Sequence, residues 1–261
     1  MKTSETIEYI VDWIKDYKKT NRIDGFVIGV SGGIDSALTS TLCALTGFKT
    51  LCLNMPIRQK EEQYVRANNH IKWLKEKFNN VNSIDIDLTG LFEKFKSSVE
   101  KNSSTNNLAL ANSRSRLRMV TLYYYAGIYN SIVVGTGNKV EDFGIGFYTK
   151  YGDGGVDISP IADLMKSEVF EISKALNINK EILAAKPTDG LWDDDRTDEE
   201  QIGISYSEIE KIMNALESGL KPLNLDDKLK DIYEIYIKYH NANKHKMTSI
   251  PICKIPKELK S

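Results

Sequence analysis

Ser31-Gly32-Gly33-Ile34-Asp35-Ser36 is the segment whose residue types and order bear most directly on chemistry. Two successive glycines reach backbone conformations that other residues avoid, so several N–H groups can turn toward one anion. The segment follows the apolar run Phe26–Val30 and opens a helical pattern, whose N-terminus adds partial positive charge. Ser31 and Ser36 bring hydroxyls to the same place. The plain alternative is a serine N-cap over a glycine turn. Asp35 favours a phosphate site. A carboxylate beside a phosphate repels it unless a cation lies between, and Mg2+ commonly takes one or two carboxylates plus substrate phosphates. The Walker lysine of GxxxxGK[ST] is missing and the segment is not GxGxxG. Kinase-type transfer of the γ-phosphate and dehydrogenase-type dinucleotide binding are therefore disfavoured.

Such a loop needs a rigid carrier. Phe26-Val27-Ile28-Gly29-Val30 reads as a strand buried on both faces. Ser36–Leu45 is helical in pattern and stops at Gly47, a natural C-cap. The alternation repeats as a strand at Thr50–Met55, a helix over Gln59–Phe78, a strand at Ser83–Leu88, a helix over Leu108–Tyr129 and a strand at Ser131–Gly135. An amphipathic helix carrying Ile7, Ile10, Val11 and Ile14 precedes them. The order predicts an α/β fold, a Rossmann-like parallel sheet with helices on both faces. Ligands then belong at the carboxyl ends of the strands, at Val30, Met55, Leu88 and Val134. Beyond residue 135 come glycine-rich turns, the turn Pro187–Gly190, an acidic run from Asp193 to Glu200 and a helical tail over 231–240. Asn102–Asn107 is the most loop-like short segment.

The chain of 261 residues reads as a single domain. Lys+Arg number 35 against Asp+Glu 36, so nothing favours nucleic acid or an acidic membrane surface as a partner. No stretch approaches ~18 apolar residues, and the N-terminus lacks the apolar core of a signal peptide. Cys43, Cys52 and Cys253 are odd in number and form no CxxC pair, which points to a reducing, cytoplasmic setting. Three histidines and isolated cysteines do not make the four-ligand spacing of zinc.

SGGIDS after a first strand resembles the pyrophosphate loop of the ATP-pyrophosphatase group. That resemblance implies ATP contacts from Gly29, Val30, Ser31, Gly32, Gly33, Ile34, Asp35 and Ser36. Further segments, spread over about residues 5–250, are similar to the ammonia-dependent NAD synthetase family. They are Arg114–Met119, the run from Gly135 to Asp157 containing TKYGDGG, Lys166 followed by Pro187-Thr188, and His245-Lys246. The resemblance implies ATP contacts from Thr136, Lys166 and Thr188, with Asp35 and Lys166 central to catalysis. It places Mg2+ on Asp35 and Glu141, and the deamido-NAD substrate on Arg116, Lys150, Asp157, His245 and Lys246. Arg114 and Arg118 share one helix face and Arg116 points away from them; by themselves such arginines read equally as solvated charge.

One departure from the family's pattern stands out. The chain carries one residue more between Glu141 and Thr149, so Asp142 is an alternative metal carboxylate. WDDDRTDEEQIG resembles the loop before the family's last helices, with Asp198-Glu199 as its acidic pair, and reads either as a mobile lid or as a plain exposed loop. The reaction implied is amidation of deamido-NAD with ammonia through an acyl-adenylate, giving NAD, AMP and pyrophosphate. The family further implies a homodimer, and residues 1–261 leave no room for a separate glutaminase domain. Two rivals share the loop. A tRNA-modifying relative needs a basic face or a cysteine pair, and a nucleotide sensor needs neither Glu141 nor TKYGDGG.

Overall fold

Phe26, Val27 and Ile28 are almost wholly shielded from solvent, as a central strand requires. The computed structural model describes residues 1–99, 106–185, 187 and 197–260. Its elements in chain order are α1 Thr3–Asn21, β1 Gly25–Gly29, α2 Ile34–Leu45, β2 Lys49–Asn54, α3 Glu61–Lys77, β3 Val81–Asp85, α4 Thr89–Val99, α5 Asn107–Ile128 and β4 Ser131–Val133. There follow a π-helical turn Val140–Ile145, α6 Lys166–Ala175, α7 Lys180–Ala184, α8 Asp198–Ile202, α9 Tyr206–Glu217 and α10 Asp227–Met247.

All strand pairs are parallel and the order is β3-β2-β1-β4. One face of the sheet is covered by α1, α2 and α6, through Ile14, Leu38, Leu42, Val169 and Ile172. The other is covered by α4 and α5, through Phe92 and Ala126 against Val27, Leu53 and Val133. The two-faced cover expected from the alternation is therefore present. A separate apolar cluster joins α9 and α10 to the π-helical turn, with Val140 and Ile145 against Ile209, Ile212 and Tyr236. From β1 the chain runs outward to β2 and β3, then returns to place β4 on the other side of β1. That reversal opens a crevice between the carboxyl ends of β1 and β4.

Some boundaries differ from the sequence reading. The third strand is Val81–Asp85 rather than Ser83–Leu88. Past Asp85 the chain still donates from Ile86 to Asn54 and from Leu88 to Pro56, but Pro56 has no N–H with which to continue the ladder. The fourth strand stops at Val133, and Val134 forms an isolated parallel bridge with Ile158. Helix α4 is an addition, with Leu91, Phe92, Phe95 and Val99 at helical spacing. The C-terminal helix is longer than the expected 231–240. Of the loop-like Asn102–Asn107, residues 102–105 lie outside the described residues, while Asn106 caps α5 by accepting the Ala109 N–H at 2.9 Å.

Between α2 and α3 lies His70, fully buried, with Nε2 3.0 Å from Ser40 Oγ and its ring stacked on Trp73. Burial pulls its pKa down from 6.5 to about 4. As pH falls through 6.5 the unfolded chain takes up a proton that the folded chain refuses until about pH 4. Stability should therefore drop across that window, by roughly 3 kcal/mol at most. His70→Gln is expected to be less stable at neutral pH yet to lose this dependence, as read from urea unfolding between pH 7 and pH 4.

Candidate active site

The loop after β1 leaves the α2 N-terminus open. Gly33 holds the N-cap position and supplies no capping side chain, so the plain serine-cap alternative does not apply. Ser31 Oγ instead accepts from the Gly33 N–H at 3.2 Å and lies 3.1 Å from Ser36 Oγ, which donates to the Gly33 carbonyl at 2.9 Å. Gly32 has φ +82°, and a Cβ there would lie 2.8 Å from the Gln63 carbonyl oxygen of α3. Only glycine fits that turn against α3.

Three elements then bring charge to the crevice. Lys166, first residue of α6 and 4% exposed, donates from Nζ to Asp35 Oδ2 at 2.6 Å and to Glu141 Oε1 at 2.9 Å. Burial opposes the lysine's charge, but the two carboxylates outweigh it and hold the ammonium above the usual lysine range. Burial pushes the Asp35 carboxyl up, against the pull of Lys166. It acts the same way on Glu141, where Lys166 and the hydroxyl of Tyr206 overcome it and leave that carboxyl below its usual range. Asn138 joins the parts, donating to Asp35 Oδ1 at 2.9 Å while its own Oδ1 accepts the N–H groups of Val140 and Glu141 at 3.1 Å.

A π-helical turn, wider than an α-helix, spans Val140–Ile145. It presents Asp142 beside Glu141. The Asp142 carboxyl fills the space a Cβ on Gly137 would need, and burial, then Glu141, Asp153 and Asp35, push its pKa up to about 8. Asp153 is likewise raised by burial, while accepting from Ser115 Oγ at 2.7 Å and from the Thr149 N–H at 3.0 Å. Carboxyls thus outnumber the lysine among these residues. Two carboxylates converging on one ammonium form a donor set that suits a divalent cation with phosphate oxygens.

These groups line a cavity of about 590 Å3, within the usual range for small-molecule sites. Of the residues singled out from the sequence, Gly29, Val30, Ser31, Gly33, Ile34, Asp35, Ser36, Thr136, Glu141, Lys166 and Lys246 line it, with Gly32 in the turn behind. Thr188 lies outside the described residues. Arg116, Lys150, Asp157 and His245 are not among the lining residues. They stand on the adjoining surface: Arg116 donates to the Lys150 carbonyl at 3.2 Å, and Lys150 Nζ to the His245 carbonyl at 2.7 Å. Lys246 reaches the carbonyls of Gly146 and Tyr148 at 2.9 and 2.8 Å. Asp157 accepts from Val133 N–H at 2.8 Å and from the Tyr123 hydroxyl at 3.1 Å.

Two participants escape a reading of the sequence. Asn138 sits inside GTGNKVED but has no charge to draw notice. Tyr206 is marked only as the start of α9 by the capping box of Ser205 and Glu208. Part of the acidic run also differs from both expectations, since Asp198 is buried, 3.1 Å from the Tyr206 hydroxyl. Residues 193–196 of that run lie outside the described residues.

The family model described as NAD synthase matches residues 6–249. The chain belongs to the NAD synthase family. Among its relatives, an NH(3)-dependent NAD(+) synthetase of Methanosarcina mazei is 36% identical over 93% of this chain and 95% of its own. That of Archaeoglobus fulgidus is 34% identical over 98% of each. Among solved structures, an NMN synthetase from Francisella tularensis is 34% identical with a TM-score of 0.84, covering 98% of this chain and 99% of its own. An NH3-dependent NAD synthetase from Campylobacter jejuni is 29% identical with a TM-score of 0.78, covering 97% and 100%.

Replacing Lys166 with Met should leave two buried carboxylates facing each other without a cation. Unfolding in denaturant without added Mg2+ is expected to show a loss of about 3–5 kcal/mol.

Proposed function

We propose that the chain is a ligase that amidates deamido-NAD with ammonia, consuming ATP and giving NAD, AMP and pyrophosphate. The observation that carries this reading is the placement of the phosphate cradle and the Asp35–Lys166–Glu141 cluster in one cavity at the crevice between β1 and β4. The substrate carboxylate attacks the α-phosphorus of ATP, and pyrophosphate departs into the N–H groups of Ser31–Ser36. Ammonia then attacks the acyl-adenylate carbonyl, and AMP leaves. Two anions must meet for the first step, so charge neutralisation and positioning are the main demands. Lys166 supplies a fixed positive charge, Thr136 in the same cavity fits as a further ATP contact, and the resemblance adds Thr188. Asp35 and Glu141 fit Mg2+, which when bound screens the phosphate charge and holds the leaving group. Glu141 is favoured over Asp142 because it shares its cation with Asp35.

The assigned deamido-NAD contacts Arg116, Lys150, Asp157, His245 and Lys246 adjoin a second feature, the outer face of α5. Val120, Tyr124 and Ile128 recur every four residues there and stay 54–63% exposed. A second copy of the chain, related by a twofold axis, fits this self-facing stripe and would close the dinucleotide site from outside. Tyr124→Glu is then expected to sediment as a monomer where the unaltered chain sediments as a dimer. Equal sedimentation of the two would overturn the pairing. No described helix is long and apolar enough to cross a membrane. Three free thiols, one of them exposed, fit a reducing cytoplasm.

The likeness to an NMN synthetase supports a second reading, in which the acceptor is the mononucleotide carrying the same pyridine carboxylate without the AMP half. Pyrophosphate release from Mg2+–ATP with ammonium, measured with deamido-NAD and with nicotinic acid mononucleotide, decides between them. Release that requires deamido-NAD, with NAD and AMP in equal amounts, is the expected result. A higher kcat/KM for the mononucleotide would replace it, and no release with either would overturn the amidation.

A further inference from the structure

Tyr206, first residue of α9 and 6% exposed, holds an unusual position among the charges of the site. Its hydroxyl lies 2.7 Å from Glu141 Oε1 and 3.1 Å from Asp198 Oδ2, and its ring lies 4.8 Å from the Lys166 ammonium. Asp198 opens α8 and lines the cavity. Glu199, next in the chain, accepts the Tyr206 N–H at 2.8 Å, so α8 and α9 are held together at this point. A phenol has one hydrogen to give. Two carboxylates stand within reach of it, and only one can receive it at a time. The other faces a lone pair, which is costly in a buried setting.

We propose that Tyr206 is a positioning residue that gives its hydroxyl hydrogen to Glu141 when the metal site is empty and to Asp198 when a divalent cation binds, so that cation binding also secures α8. The inference rests on the reading of Glu141 as a metal carboxylate. No covalent bond changes: the O–H stays on Tyr206 and turns about the ring C–O bond. A cation on Glu141 takes up the negative charge that drew the hydrogen, and Asp198 becomes the stronger acceptor. The cluster thereby links the phosphate end of the cavity to α8. Merely filling space would require the ring of Tyr206 and not its hydroxyl.

The test is hydrogen exchange at the Gln201 and Gly203 amides, which bond back to Thr197 and Glu199 in α8. Exchange is followed with pyrophosphate alone and with pyrophosphate plus Mg2+, while Mn2+ binding in the same mixture is read by electron paramagnetic resonance. In the unaltered chain the cation should slow both amides by about tenfold. Tyr206→Phe should still bind Mn2+ and show no such slowing. Asp198→Leu, which removes the acceptor, should behave the same way, and it serves if the tyrosine variant does not fold. Slowing that persists in Tyr206→Phe would overturn the proposal. Bound Mn2+ without slowing in the unaltered chain would overturn the hydrogen transfer alone. Absence of Mn2+ binding there would instead overturn the metal reading on which it rests.

Discussion

A single buried ammonium ties three distant parts of this chain together. Lys166 comes from the start of α6, Asp35 from the first turn of α2 and Glu141 from the π-helical turn. Removing three charges from water is expensive, and the attraction between them offsets that cost only where the geometry is good and remaining polar atoms find partners. Asn138 meets that condition by donating to Asp35 and accepting the Glu141 N–H, and Tyr206 contributes one hydroxyl hydrogen within reach of Glu141 and Asp198. The cluster therefore fixes the relative positions of the phosphate loop, the turn beyond β4 and the helices that follow. The cavity is defined by those positions.

Close around Lys166 acidic side chains outnumber the ammonium, while Arg66, Arg118 and Lys246 bring further positive charge to the lining of the cavity. Asp142 stands half-buried beside Asp35 and Glu141, and the upward shift of its carboxyl reflects burial first and crowding second, while Asp153 at the rim is held by Ser115 and the Thr149 N–H. ATP adds negative charge beside these carboxylates, and a divalent cation accompanying it would screen the two from each other.

Much of the fold was legible in the sequence, because buried parallel strands read as short apolar runs and the phosphate loop stands directly after one. Val81–Asp85 was harder to place, since its pattern of Asn82, Ser83 and Asp85 is polar and the apolar residues Ile86 and Leu88 just beyond it draw the eye forward. At the site, the SGGIDS loop, singled out by its motif, and Lys166, singled out by the resemblance, come together in the cavity. Tyr206 and Asn138 were not, because their importance comes from where an uncharged side chain points after folding. Asp198 was misjudged for a related reason. Its neighbours in sequence are acidic and suggest solvent, but the bond to Tyr206 and the packing of Ile202 draw it inside.

The short strand β4 lies at an open edge of the sheet, and its Val133 N–H is taken by the side chain of Asp157. The next residues are occupied as well, through the bridge of Val134 to Ile158 and the Gly135 bond to the Ile158 carbonyl. A foreign strand arriving there meets no free ladder to extend, only a carboxylate already in place. Strand-by-strand addition along this edge is thereby disfavoured where these groups are occupied.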